Sequence, residues 1–308
     1  MRSPLAAVAL LVAACAHAPA APGPLWTLED PAGDDHGDGD LTYPGRGEPS
    51  PGELDLLTLR AFREKGGTTL EAVFARPVSR PDGRLVSSTG ATLMQVAPLG
   101  FYTFNLDVYV DVDRLPGSGR TDALPGRKIA FDPAGAWDKA IVLTPRPAEA
   151  RSLLRALWKR EARRERTGRS RSAREEEALE EQIEQEVERR VFFPTRVRVS
   201  GASVRFFVPD AFLPGGAGAD LAYAAVVTGA DLDLRLDVRG LFTKDAPTPG
   251  LFVMPIAPGH RMDTFGGGRI DDPDQPPVVD LLAAGKQEEL LLARPAVVRP
   301  VVPAEVSP

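Results

Sequence analysis

Alternation dominates the hydrophobic pattern of this chain. It is cleanest over 101–113. There Phe104, Leu106, Val108, Val110 and Val112 fall on one side of an extended backbone, and Thr103, Asn105, Asp107, Tyr109 and Asp111 on the other. A period of two predicts a β-strand with one buried face. Leu57, Leu59 and Ala61 predict a second strand on the same logic, and 69–76 and 139–144 two more. Alternation resumes after Thr195. Val197 and Val199, then Val204, Phe206 and Val208, flank Ser200-Gly201 and predict a hairpin. Further strands are predicted over 221–228, 231–238 and 250–256. Beyond Arg294 the Pro/Val-rich end shows no period and reads as an irregular tail.

One segment breaks the pattern. Over 147–190 the period becomes helical: Leu153, Leu154, Leu157 and Trp158 form a stripe, and Leu179, Ile183 and Val187 recur every four residues. Pro147 suits a first-turn position, and Ser172 with Glu175 makes a capping box. The first arm is basic and the second acidic, which predicts an antiparallel helical hairpin whose arms attract each other. The basic arm also suits anionic lipid.

The predicted architecture is therefore all-β: a β-sandwich with an inserted charged helical hairpin. Composition agrees. Of 308 residues, 30 are Pro and 29 Gly, which suits a protein of many turns. A net charge of −6 argues against a nucleic-acid partner, which needs a concentrated positive surface.

The first fifteen residues read as a targeting segment. Met1-Arg2 is basic, and the apolar run that follows is too short to span a bilayer. It ends Val12-Ala13-Ala14-Cys15, which resembles a bacterial lipobox, and Cys15 is the only cysteine. Acylation of Cys15 would tether the protein to a membrane without spanning it; an ordinary secretory signal with an incidental cysteine is the other reading. Residues 16–24 then read as an Ala/Pro tether. The expected location is the bacterial cell envelope.

The first candidate chemistry follows at once. Asp30, Asp34, Asp35, Asp38 and Asp40 crowd into eleven residues with interleaved glycines. Two readings compete: a solvated acidic turn, or a set of oxygen ligands for a hard cation. The spacing does not fit an EF-hand. Asp55 and the pair Asp111 and Asp113 are available to close such a site.

The acidic run also carries a family resemblance. Asp30-Pro-Ala-Gly-Asp-Asp-His-Gly with Tyr43-Pro44, then Tyr109-Val-Asp111-Val-Asp113, Leu124-Pro-Gly-Arg127, Ala136-Trp137-Asp138, Phe265-Gly-Gly-Gly268 and Val279-Asp280-Leu281-Leu282 resemble, in order, the glucodextranase C-terminal domain family. The resemblance covers roughly 25–293. It implies a DOMON-like sandwich similar to carbohydrate-binding modules, stabilised by Ca²⁺ and associated with α-glucans. The helical hairpin reads as an insertion, and Asp38 and Asp40 make the loop more charged than the family pattern. Sugar recognition needs aromatic faces and planar polar groups, and Tyr102, Asn105, Tyr109, Trp137 and Phe265 are the candidates, with core or rim packing the other reading of each. Catalysis finds no support: His17, His36 and His260 make no nucleophile–base arrangement. The expected function is a non-catalytic, membrane-anchored carbohydrate-binding module. The alternative is a cell-envelope lipoprotein that docks a protein partner on the helical hairpin.

Overall fold

The computed structural model describes residues 23–85, 90–165, 172–232 and 250–304; the predicted signal segment, Cys15, and most of the tether and of the strand expected over 231–238 lie outside them. In chain order the elements are β1 (Trp26–Glu29), β2 (Leu56–Glu64), β3 (Gly67–Phe74), α1 (Leu93–Val96), β4 (Phe104–Asp111), β5 (Ala130–Phe131), β6 (Lys139–Leu143), α2 (Pro147–Glu165), α3 (Ala173–Arg190), β7 (Val191–Phe192), β8 (Val197–Ser200), β9 (Ser203–Pro209), β10 (Ala222–Gly229), β11 (Ile256–Pro258), β12 (Phe265–Gly268), β13 (Asp280–Leu282), α4 (Gln287–Leu292) and β14 (Val297–Val298).

Ten strands make two five-stranded sheets, in the orders β1-β2-β3-β9-β8 and β13-β10-β4-β6-β7. The first is antiparallel throughout. Its inner face presents Trp26, Leu59, Leu70, Ala72, Val204 and Phe206, all buried against Phe104, Leu106, Val108 and Val110 of β4. This is the predicted sandwich. A bulge in β2 puts Leu57 and Thr58 opposite the single residue Val73. It moves Leu57 off the core face and leaves Leu56, Leu59 and Ala61 buried, where strict alternation placed Leu57.

The second sheet departs further from expectation. Every residue of β4 and β10 is buried, on both faces. A third layer causes this. α2, α3 and α4, the β5–β14 pair and the loop around Leu251 and Phe252 cover the outer face with a second core that includes Tyr109, Trp137, Val142, Leu154, Trp158, Val187 and Val226. The polar residues of that face are therefore sealed in. Arg127 answers Asp107 with two hydrogen bonds, at 2.5 and 2.9 Å, and donates also to the carbonyls of Pro125 and Leu251. A buried ion pair persists only when its remaining donors and acceptors are matched.

The helical hairpin forms as predicted, with the Ser172–Glu175 capping box present. Arg151 and Arg155 meet Glu184, Lys159 meets Glu176 and Glu180, and Arg163 meets Glu176. Residues 250–255 do not make the predicted strand and touch the sheet through one bridge, Ala230 to Val253. The tail is less irregular than its sequence suggests. β14 pairs with β5, and Val301 bridges Tyr223.

Candidate functional site

The loop between β1 and β2 packs onto the edge where the start of β2 meets β13 of the other sheet. Gly37 N–H donates to the Val279 carbonyl at 2.9 Å, and Gln287 of α4 donates its amide to the carbonyls of Asp34, Gly37 and Val279. Asp30, Asp34 and Asp55 are thereby brought beside Asp280. One carboxylate oxygen from each of Asp34, Asp55 and Asp280 lies within 4.8 Å of the others. Asp280 is fully buried and accepts the backbone N–H of Leu56 and of Leu281, which ties the two sheets together. Asp55 accepts from Gly33 N–H at 2.8 Å, and the Asp30 carboxyl interacts with that of Asp280.

Three acceptors in this cluster, Asp30 Oδ2, Asp34 Oδ1 and Asp55 Oδ1, are buried without a hydrogen-bond partner. Burial pushes the Asp30 carboxyl up to about 7, reinforced by the charges of Asp34 and Asp55. Asp34 and Asp55 are raised too, first by burial and then by neighbouring carboxylates. Burial and the Asp30 charge raise Asp280. Carboxylates crowded out of water with unmatched lone pairs are an oxygen set that a hard divalent cation satisfies. The residues present fit Ca²⁺.

The other predicted ligands are committed elsewhere. Asp35 accepts from the Tyr43 hydroxyl and from Gly52 N–H. Asp38 and Asp40 are both held by Arg269, at 2.7 and 2.6 Å, and Asp38 also by Gln275. The extra charge of this loop is thus neutralised by an arginine brought from 229 residues away in sequence. Asp111 and Asp113 do not close the site. They gather with Asp138 in a separate cluster. Asp111 pairs with Ala222 and Asp280 with Val227, which sets them five residues apart along β10, roughly 16 Å. Asp280 is the member of this acidic cluster that residue-by-residue reading missed. Its signal was a single acid inside the apolar run 278–282.

The aromatic candidates fare differently. Tyr109 and Trp137 are fully buried and pack edge to face at 5.4 Å in the core beneath α2. Asn105 is fully buried and donates to the Phe252 carbonyl at 3.0 Å. Phe265 is buried edge-on to Tyr43. None of the four presents a face to a ligand. The third layer explains all of the first three. The glycines after Phe265 serve the chain's own backbone: a Cβ on Gly267 would lie 1.9 Å from the Asp40 carbonyl oxygen, and one on Gly266 2.2 Å from that of Gly259. Tyr102 is largely buried too, at 8% exposure. It lines a cleft of about 340 Å³ with Glu48, Arg84, Thr103, Asp231 and Met254. Arg84 stands 5.3 Å over its ring, hydrogen-bonds its hydroxyl and pairs with Glu48 at 2.7 Å.

Residues 25–297 match the family described as the C-terminal binding module, SLH-like, of glucodextranase. The chain belongs to this family. No curated protein matches it. The glucodextranase C-terminal family is one of binding modules and not of catalytic domains. Its match spans both sheets, the Asp34–Asp55–Asp280 cluster, the Tyr102 cleft and the helical hairpin.

Proposed function

We propose that this protein is a non-catalytic carbohydrate-binding module, anchored by lipid at Cys15 in the bacterial cell envelope, with an α-glucan as ligand and Ca²⁺ holding the first loop. The observation that carries the binding role is the family match over nearly the whole chain. What supports the α-glucan is the glucodextranase named in the family's description. What supports the Ca²⁺ is the set of three orphaned carboxylate oxygens beside buried Asp280. We assign the sugar contact to the Tyr102 cleft, where a largely buried tyrosine, with Arg84 over its ring, meets planar polar side chains. Arg84, Glu48 and Asp231 are groups that bridge sugar hydroxyls.

Affinity electrophoresis tests this reading. In native gels containing glycogen or pullulan the protein is expected to be retarded relative to a glycan-free gel, and a Tyr102→Ala variant to be retarded less. Unchanged mobility in both polymers overturns the α-glucan. It leaves the envelope lipoprotein that docks a protein partner as the better account.

A further inference from the structure

A second cavity lies on the opposite side of the molecule from the first sheet, between the segment after β4 and the basic helix α2. It measures about 240 Å³ and is lined by Arg120, Asp122, Leu157, Trp158, Arg160, Glu161 and Arg164, among others. Arg120 is its centre. Backbone hydrogen bonds in both directions with Trp137, at 2.7 and 3.1 Å, fix its position. Its guanidinium stands 4.8 Å over the Trp158 ring and 6.0 Å from that of Trp137. A guanidinium held against an aromatic ring can still donate its N–H groups to a ligand. Among the described residues no carboxylate lies within ion-pair distance of it.

We propose that this cavity binds one carboxylate-bearing sugar unit, a uronic acid, with Arg120 as its anchor. Size supports a single unit, since cavities that take larger organic ligands start near ~300 Å³. Asp122 and Glu161 also line the cavity. A dianion such as phosphate would meet repulsion from both acids. Those same acids accept hydrogen bonds from sugar hydroxyls, and Leu157 with Pro125 and Ala123 supplies an apolar wall. The guanidinium fork matches a planar carboxylate. The choice of a sugar acid over a plain carboxylate rests on the carbohydrate-binding reading. The cavity shares no residue with the Tyr102 cleft, so the two sites fail separately.

Two of the three tryptophans of the chain touch Arg120, so intrinsic fluorescence reports on the cavity. Titration of the full-length protein with sodium D-glucuronate is expected to give a saturable change. Glucose is expected to give none, and acetate and phosphate weaker ones. Arg120→Gln is expected to weaken glucuronate at least ~10-fold, the loss of a charge-assisted hydrogen bond. Arg164→Glu, at the exposed rim, is expected to weaken it several-fold and provides a test if Arg120→Gln lowers the melting temperature. Equal response to glucose, acetate or phosphate overturns the assignment. So does an unchanged glucuronate affinity in Arg164→Glu, or in a normally melting Arg120→Gln.

Discussion

Replacing Arg127 by Met probes the sealed polar face of the central sheet most sharply. Arg127 and Asp107 are both essentially unexposed, and the arginine makes two hydrogen bonds to the carboxylate and one each to the carbonyls of Pro125 and Leu251. Met fills much the same volume but leaves Asp107 as an uncompensated charge in the core. Breaking a buried pair in this way costs about 3–5 kcal/mol. At roughly 0.6 kcal/mol per degree for a chain of 308 residues, Arg127→Met should melt about 5–8 °C below the wild type. The double variant Asp107→Leu/Arg127→Met removes both charges and should recover at least half of that loss, because the penalty lies in the orphaned charge. Differential scanning calorimetry at neutral pH reads both. A single variant within about 2 °C of the wild type, or a double variant less stable than the single, would refute the reasoning.

The helical hairpin should be held by its apolar stripe more than by its charges. Leu154→Ala, at a fully buried position, is expected to cost about 2–5 kcal/mol. Glu184→Gln, which releases half-exposed Arg151 and Arg155, should cost under about 1 kcal/mol. Urea unfolding of the two variants orders them, and the reverse order contradicts the packing argument. On the outer face of the first sheet, burial pushes the Glu71 carboxyl up, but hydrogen bonds from Arg205 and Ser203 and the charges of Arg205 and Arg60 outweigh it and hold it below the ordinary glutamate value. A lowered folded-state pKa adds stability above the unfolded value, which fades as pH falls through the folded one. Melting curves from pH 6 to pH 3 should therefore fall more steeply for the wild type than for Glu71→Gln. Parallel curves count against it.

Much of this fold was legible in the chain because its strands obey a period of two on at least one face and its helices a period near four. The hairpin of α2 and α3 was readable down to its capping box, since caps and charge patterning are local. What local pattern could not show was the third layer. Asp107, Asn105 and Tyr109 look like the wet face of β4, and Arg127 sits in a turn sequence; only the tertiary structure brings the arginine onto the acid and the helices over both. Trp137 and Tyr109 were open to either reading, ligand face or core, for the same reason: they lie under a cover contributed by distant segments. At the acidic cluster the Asp-rich run marked the loop but not its members. Arg269, distant in sequence, withdraws Asp38 and Asp40, while Asp280 enters from a strand whose apolar surroundings conceal it.

Calcium titrated into chelator-treated protein, followed by calorimetry and melting temperature, tests most directly whether Asp30, Asp34, Asp55 and Asp280 form a cation site. Expected is a single binding event that raises the melting temperature by about 4 °C at a hundredfold excess over Kd, the equivalent of about 2.7 kcal/mol, and that disappears in Asp55→Ala. No heat and no shift in the wild type, or an undiminished shift in Asp55→Ala, would contradict it.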